Sequence, residues 1–349
     1  MESKEINQQI QETIIAIAKD PKNTDYYHTL ANLYSMDSKF DKTMSAYESL
    51  LEINPKDTLA LINLGTLWFY GKDYRKAFSY FTKAEEIDPL NYAIYYNMGN
   101  VHAELKNFSK SLFYYNRALD LDSPVIDIYN AIAQLFDDFE NYSEAEIYYK
   151  QSLSLDKDNV TANAGLGSLY MKLGDWENAL VYYNKISEFF PNDKEVTGCI
   201  ANALALMGKK DESFEQFEKA ITLEGENYKI HVSYAVAKAD FGDIEGAIGL
   251  YKKAIEEKPA SPEAYTLLGN LYSEMGKYDD ALEQYNKLTN LNLKDSVAYM
   301  SKGNAYYMKN DIGKALVAYR EAIKTSQDND EYKLIYLQIL DEYIDKKGQ

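Results

Sequence analysis

Residues 261–295 read SPEAYTLLGNLYSEMGKYDDALEQYNKLTNLNLKD. Apolar and small side chains recur there at three- and four-residue spacing, at Tyr265, Leu268, Gly269 and Tyr272, then again at Ala281 and Tyr285. That spacing predicts two amphipathic helices. Gly276-Lys277 separates them, and Gly is suited to the left-handed conformation that closes a helix. The unit recurs along the chain. A step of 34 residues from Tyr285 meets Tyr251, Phe217, Tyr183, Tyr149, Tyr115, Phe81 and Tyr47 in one direction and Tyr319 in the other. The same step from Gly269 meets only Ala or Gly, from Ala31 to Gly303. A third series, Thr43 to Ala315, holds only small residues. A period of this length marks stacked helix–turn–helix repeats.

Numbering each repeat 1 to 34 from Thr24 gives nine in unbroken register: 24–57, 58–91, 92–125, 126–159, 160–193, 194–227, 228–261, 262–295 and 296–329. Pro55, Pro89, Pro191 and Pro259 fall at position 32, Pro21 at the same place upstream, and Pro124 and Pro262 one or three places later. Proline ends helices, so this window separates repeats. A second break falls at positions 15 and 16, as at Lys72-Asp73, Lys106-Asn107 and Gly174-Asp175, where Asp or Asn is placed to cap the next helix. The small residue at position 8 is expected to let the first helix approach the small residue at position 20, with the aromatic at 24 filling the space beside that contact. No repeat can bury its faces alone, so stacking supplies the core. Residues 1–23 are read as an N-terminal capping helix with the stripe Ile6, Ile10, Ile14 and Ile17. Residues 330–349 are read as a C-terminal capping helix and tail.

These residues carry a resemblance. The stretch above and TLALINLGTLWFYGKDYRKAFSYFTKAEEIDPLN (58–91) resemble the tetratricopeptide repeat (TPR). The likeness runs over 24–329 without insertion or deletion. Local departures are Lys210 where an aromatic is usual, Lys302 where an apolar residue is usual, and Lys238 at position 11 of repeat seven. The resemblance implies an all-α fold, an α-α superhelix: a right-handed solenoid of about nine TPR hairpins with terminal capping helices. It also implies an inner groove lined by the first helix of each repeat.

Composition narrows the partners. The chain has 349 residues, 46% of them hydrophobic, with 33 tyrosines and a formal charge of −18. Nucleic acid and anionic membrane surfaces are repelled by such a charge. One cysteine, Cys199, excludes an intrachain disulfide and a Cys-based zinc cluster and fits a reducing, cytoplasmic compartment. The first twenty residues lack a basic segment followed by an apolar one, so no signal peptide is read there. Bias toward Asn, Lys, Ile and Tyr points to an AT-rich prokaryotic genome. His28, His102 and His231 fall at positions 5, 11 and 4 of repeats one, three and seven and do not converge. The motifs GxxxxGK[ST], GxSxG and HExxH are absent. Cys199 reads as an inert small residue. The expectation is no enzyme, no cofactor and no metal.

In the first helix, positions 2, 5, 6, 9, 12 and 13 lie opposite the packing stripe. They include His28, Asn32, Asn63, Thr66, Phe69, Tyr70, Tyr96, Asn97, Asn100, Asp137 and Asp138. Asn offers a donor and an acceptor, so a row of amides can hold an extended peptide by its backbone while aromatics take side chains. The row resembles the asparagine ladder of the O-linked N-acetylglucosamine transferase groove. Asn at positions 6 and 9 is also common throughout the family. The acidic inner residues, Asp25, Glu104, Asp127, Asp137, Asp138, Glu195, Asp240, Glu263 and Glu274, outnumber Lys172 and Lys229. Basic or neutral segments are therefore expected. Position 5 carries no Lys or Arg, unlike the carboxylate clamp of chaperone-binding members. Small inner residues, Ala164, Gly165, Ser168, Gly198 and Cys199, leave room for a bulky partner element.

The function expected is a non-enzymatic scaffold binding peptides or proteins in the groove. Two alternatives stand beside it: a peptide-sensing regulator, and a substrate-recruiting subunit of a separate enzyme. In the last helix Tyr332, Ile335, Tyr336, Ile339 and Tyr343 form the capping stripe, while Leu334, Leu337, Leu340 and Ile344 fall partly outside it. That second set is read as a homodimer contact, a partner site, or part of a wide contact with repeat nine.

Overall fold

A computed structural model of the chain describes residues 2–121, 125–291, 295–326 and 329–348, so Pro124 lies outside the described residues. Every described element is an α-helix. The chain divides into two compact units, Met1–Leu173 and Gly174–Gln349.

Unit one contains α1 (Glu2–Lys19), α2 (Thr24–Met36), α3 (Phe40–Ile53), α4 (Thr58–Tyr70), α5 (Tyr74–Ile87), α6 (Tyr92–Glu104), α7 (Phe108–Leu121), α8 (Ile126–Asp138), α9 (Tyr142–Leu155) and α10 (Val160–Leu173). Unit two contains α11 (Trp176–Phe189), α12 (Lys194–Leu206), α13 (Lys210–Thr222), α14 (Tyr228–Asp240), α15 (Ile244–Glu257), α16 (Pro262–Glu274), α17 (Tyr278–Asn290), α18 (Ser296–Met308), α19 (Ile312–Thr325) and α20 (Asp330–Gly348). Within each unit the helices pair as hairpins, a first (A) helix with the second (B) helix that follows it, and the hairpins stack on their neighbours.

The hairpin turn has one backbone form. Position 15 takes a left-handed conformation at Ser38 (φ 53°), Lys72 (61°), Lys106 (54°), Glu140 (62°), Gly208 (76°), Gly242 (82°), Gly276 (71°) and Asn310 (62°). The next residue donates its N–H back across the turn, as from Asp73 to the Trp68 carbonyl (3.0 Å) and from Asp243 to the Lys238 carbonyl (2.8 Å). This closure satisfies a carbonyl that the helix end would otherwise leave unpaired. Asp73 and Asp243 then cap α5 and α15, their carboxylates accepting from the N–H groups of Lys76 and Gly246.

Packing inside a hairpin differs in detail from the expectation. The position-24 ring lies over position 8 itself and not only beside it. A Cβ built on Gly269 falls 2.6 Å from the Tyr285 ring, and one on Gly65, Gly99 or Gly303 collides with Phe81, Tyr115 or Tyr319. The close approach to position 20 is also present: Ser111 Oγ donates to the Gly99 carbonyl (2.9 Å) and Ser213 Oγ to the Ala201 carbonyl (2.8 Å). In unit two, two of the three lysines that depart from the repeat pattern, Lys210 and Lys238, gather on Phe214. Lys238 lies 4.7 Å and Lys210 5.6 Å from its ring centroid, and Lys238 also pairs with Asp243 at 2.6 Å. Cation–ring attraction there replaces an apolar contact.

The terminal helices cap by one stripe each. Ile6, Ile10 and Ile17 pack with Leu30, Ala31 and Tyr47, whereas Ile14 is exposed. On α20, Tyr332, Ile335, Tyr336 and Ile339 pack against Met300, Ala315, Tyr319 and Ala322. Leu334, Leu337 and Ile344 are exposed, and Leu340 is half-buried.

Candidate functional site: the A-helix face

The eleven residues from His28 to Asp138 singled out from the sequence lie on A helices of unit one, and most are already engaged there. Tyr47 donates to Asn32 Oδ1 (3.3 Å) and accepts from Asn63 Nδ2 (2.9 Å). Tyr115 donates to Asn100 Oδ1 at 2.7 Å. The pKa of the Tyr96 hydroxyl, one turn away on α6, is pushed up chiefly by burial. The pairing repeats: Tyr149 donates to Gln134, Tyr285 to Asn270 and Tyr319 to Asn304. In these five repeats a position-9 amide therefore satisfies the buried hydroxyl at position 24. In repeat two, where position 24 is Phe81, position 9 is Thr66, and its hydroxyl turns to the Ile62 carbonyl instead (3.0 Å).

The remaining members divide between structure and surface. His28 Nε2 lies 3.2 Å from Asp57, the residue that caps α4, and the His28 ring meets Tyr47 edge-on. Asn97 donates to the Ala93 carbonyl of its own helix (2.8 Å). Phe69 is half-buried against Tyr70 and Tyr74, while Tyr70 itself is 75% exposed. Asp137 is buried, and Lys172 Nζ reaches both its oxygens at 2.8 and 2.7 Å. Asp138 is exposed and accepts from Gln134 (2.8 Å) and Lys106 (3.2 Å). The acidic excess counted from the sequence is thus partly neutralised in place. Position 5 is also less open than expected, with Ile62, Asn130, Gly198, Val232 and Met300 buried.

The small inner residues make room mainly for the fold. A Cβ on Gly165 collides with the Tyr149 ring, and one on Gly198 with Ile230. Space remains beside them. Between α12 and α14 a cavity of about 650 Å³ is walled by Gly198, Cys199, Asn202, Tyr228, Ile230 and Ser233. Glu195, Glu224, Glu226, Lys229 and Lys258 also line it. Sequence reading noticed Gly198 and Cys199 but missed the cavity. Its signal was Gly225, in the stretch where other repeats carry proline. Gly225 adopts φ 111°, and its carbonyl accepts from Lys194 Nζ at 2.8 Å.

Nucleophilic and metal chemistry find little footing. Burial pushes the Cys199 thiol pKa up, which lowers its thiolate fraction. Burial and Lys110 lower the His102 pKa, and that ring stacks on Tyr114. His231 is buried with Nδ1 3.1 Å from Glu257. Among the described residues no three His, Cys, Asp or Glu side chains are placed to hold a metal, and no helix is long and apolar enough to cross a membrane.

Family models described as tetratricopeptide repeat match residues 92–123, 138–203, 200–262, 238–305 and 296–329. The chain belongs to the tetratricopeptide repeat family. None of the curated proteins matches the sequence. Solved structures share the tetratricopeptide fold. A tetratricopeptide repeat protein from Parabacteroides merdae is 20% identical with a TM-score of 0.54, over 76% of this chain and 98% of that one. The pilF protein of Pseudomonas aeruginosa is 19% identical with a TM-score of 0.52, over 59% and 94%. A chain of the APC/C hetero-tetramer Cut9–Hcn1 is 19% identical with a TM-score of 0.52, over 95% and 67%. Tetratricopeptide proteins generally bind other proteins.

Proposed function

We propose that the chain is a non-catalytic scaffold that holds extended, basic or neutral peptide segments of partner proteins against the A-helix face. The observation that carries this reading is the set Phe69, Tyr70, Tyr96, Asn63, Asn97 and Asn100 on α4 and α6, large rings and amides left at least partly open to solvent. Rings and amides side by side can take both the side chains and the backbone of an extended segment. Exposed carboxylates at Asp25, Asp127, Asp138 and Glu104 favour cationic side chains. The single cysteine suits a reducing, cytoplasmic setting.

The test is a panel of extended, proline-containing peptides of equal length, basic, neutral and acidic, titrated at low and high salt. Basic peptides bind most tightly at low salt and lose affinity as salt screens the carboxylates. Tyr70→Ala weakens binding by about tenfold, the loss typical of an aromatic anchor, without lowering the melting temperature. A preference for acidic peptides, or unchanged affinity in Tyr70→Ala, overturns the reading.

A further inference from the structure

The α20 helix begins 34 residues after α18, at the place where a further A helix would start. Its inward face does what that register requires: Tyr332, Ile335, Tyr336 and Ile339 pack on repeat nine. Tyr307 adds a hydrogen bond to Glu342 at 2.8 Å. The outward face is different. Leu334, Leu337 and Ile344 are 58%, 53% and 57% exposed, and no described element covers them. Asp330, Leu334, Leu337, Asp341 and Ile344 follow one another at four- and three-residue steps, with Asp345 adjoining, so carboxylates and leucines share one strip.

We propose that this strip docks a basic amphipathic helix of a partner protein. Spacing of four and three is the pattern by which one helix receives another. At Gly65, Gly99, Gly269 and Gly303 the B helix packed against the A helix carries a Tyr or Phe ring over position 8. Position 8 of α20 is Leu337, so a B helix of that kind, with its large ring, does not fit there. A helix with aliphatic side chains does. Charge fixes the sign of the partner. By sequence α20 carries Asp330, Glu331, Asp341, Glu342 and Asp345 against three lysines, two of which, Lys346 and Lys347, lie beyond Ile344. Lys333 is within hydrogen-bond distance of Asp330 (3.2 Å). Pairing α20 with a second copy of itself brings aspartates against aspartates in a chain of charge −18. A helix bearing Lys or Arg beside its leucines meets both features.

The experiment uses the full chain and two labelled 18-residue synthetic helices, one of leucine and lysine and one of leucine and glutamate, with leucines at alternating three- and four-residue spacing. The lysine helix binds, the glutamate helix does not, and salt weakens the binding. Leu334→Gln with Leu337→Gln reduces affinity by at least about tenfold, the order expected when two buried leucine contacts are lost. Asp341→Asn with Asp345→Asn also reduces it. Both positions of the leucine pair are exposed, and Leu334→Ala with Leu337→Ala serves if the glutamine pair disturbs the helix. Equal affinity of parent and variants for the lysine helix, or equal binding of both helices, overturns the proposal. So does a parent that sediments as a dimer and becomes monomeric in the glutamine variant, since the occupant is then a second copy. The proline-containing peptides that test the A-helix face cannot form a helix, so the two readings fail separately.

Discussion

At the scale of single residues, Asn100 shows how one side chain is shared between packing and surface. Its carbonyl accepts from the hydroxyl of Tyr115, a ring 2% exposed, while Asn100 itself is only half-buried. Removing it leaves a buried hydroxyl without a partner, at a cost of about 1–3 kcal/mol. Asn100→Ala therefore lowers the urea midpoint even without any ligand. The combination with Tyr115→Phe costs less than the two single changes added, because the phenylalanine no longer needs the amide. Strict additivity in that cycle refutes the pairing. The sequence showed both residues but not their bond. Periodicity on α6 puts Asn100 opposite the core, and periodicity on α7 puts Tyr115 inside it. Only the hairpin brings a hydroxyl at position 24 to an amide at position 9. A trace of the link was legible in five repeats, where Asn32, Asn100, Gln134, Asn270 and Asn304 accompany tyrosines, but Ser168 and Val236 accompany Tyr183 and Tyr251 and Asn202 accompanies Phe217, so the sequence alone did not fix the pairing. The burial of Asp137 under Lys172 was not legible, because the two lie 35 residues apart on different hairpins.

At the scale of the helical hairpin, the turn is set by the pair of helices and not by the residue at its centre. Glycine marked the break in repeats five, six, seven and eight, yet Ser38, Lys72, Lys106, Glu140 and Asn310 take the same left-handed backbone. A side chain in that conformation costs roughly 1–2 kcal/mol, and Asn less. Lys72→Gly is expected to stabilise the protein by up to about 1 kcal/mol, the relief being offset in part by the greater freedom of an unfolded glycine. Gly242→Ala, where φ is 82°, is expected to destabilise by about 1 kcal/mol. Chemical unfolding of both variants checks the pair, and a destabilised Lys72→Gly contradicts the turn geometry. Helix starts and stops were readable because proline and glycine obey local backbone rules. The approach of Lys238 to Phe214 was not, since it depends on how α13 packs beside α14.

At the scale of the whole molecule, tyrosine is the commonest aromatic, at 33 residues, and one sits at position 24 in seven of the repeats. Every tyrosine at position 24, namely Tyr47, Tyr115, Tyr149, Tyr183, Tyr251, Tyr285 and Tyr319, has its pKa raised, and in each the largest cause is burial. Tyr251, Tyr285 and Tyr319 are pushed up to about 12 from 10.0. A raised folded-state pKa means that the folded chain holds protons the unfolded chain has released. Stability is then complete below pH 10 and falls as pH rises from about 10 toward about 12. Helix content at 222 nm should be lost over that window together with the rise of tyrosinate absorbance. Tyrosines that ionise near pH 10 while the helices persist would exclude the linkage. Tyr285→Phe with Tyr319→Phe separates the two contributions of the hydroxyl. At pH 7 this variant is less stable than the parent, because Asn270 and Asn304 lose the donors they accept from. Between pH 10 and 12 its stability falls less steeply, because two of the groups that link folding to pH are gone. Urea midpoints at pH 7 and pH 11 should therefore converge, and parallel midpoints would place the alkaline sensitivity elsewhere.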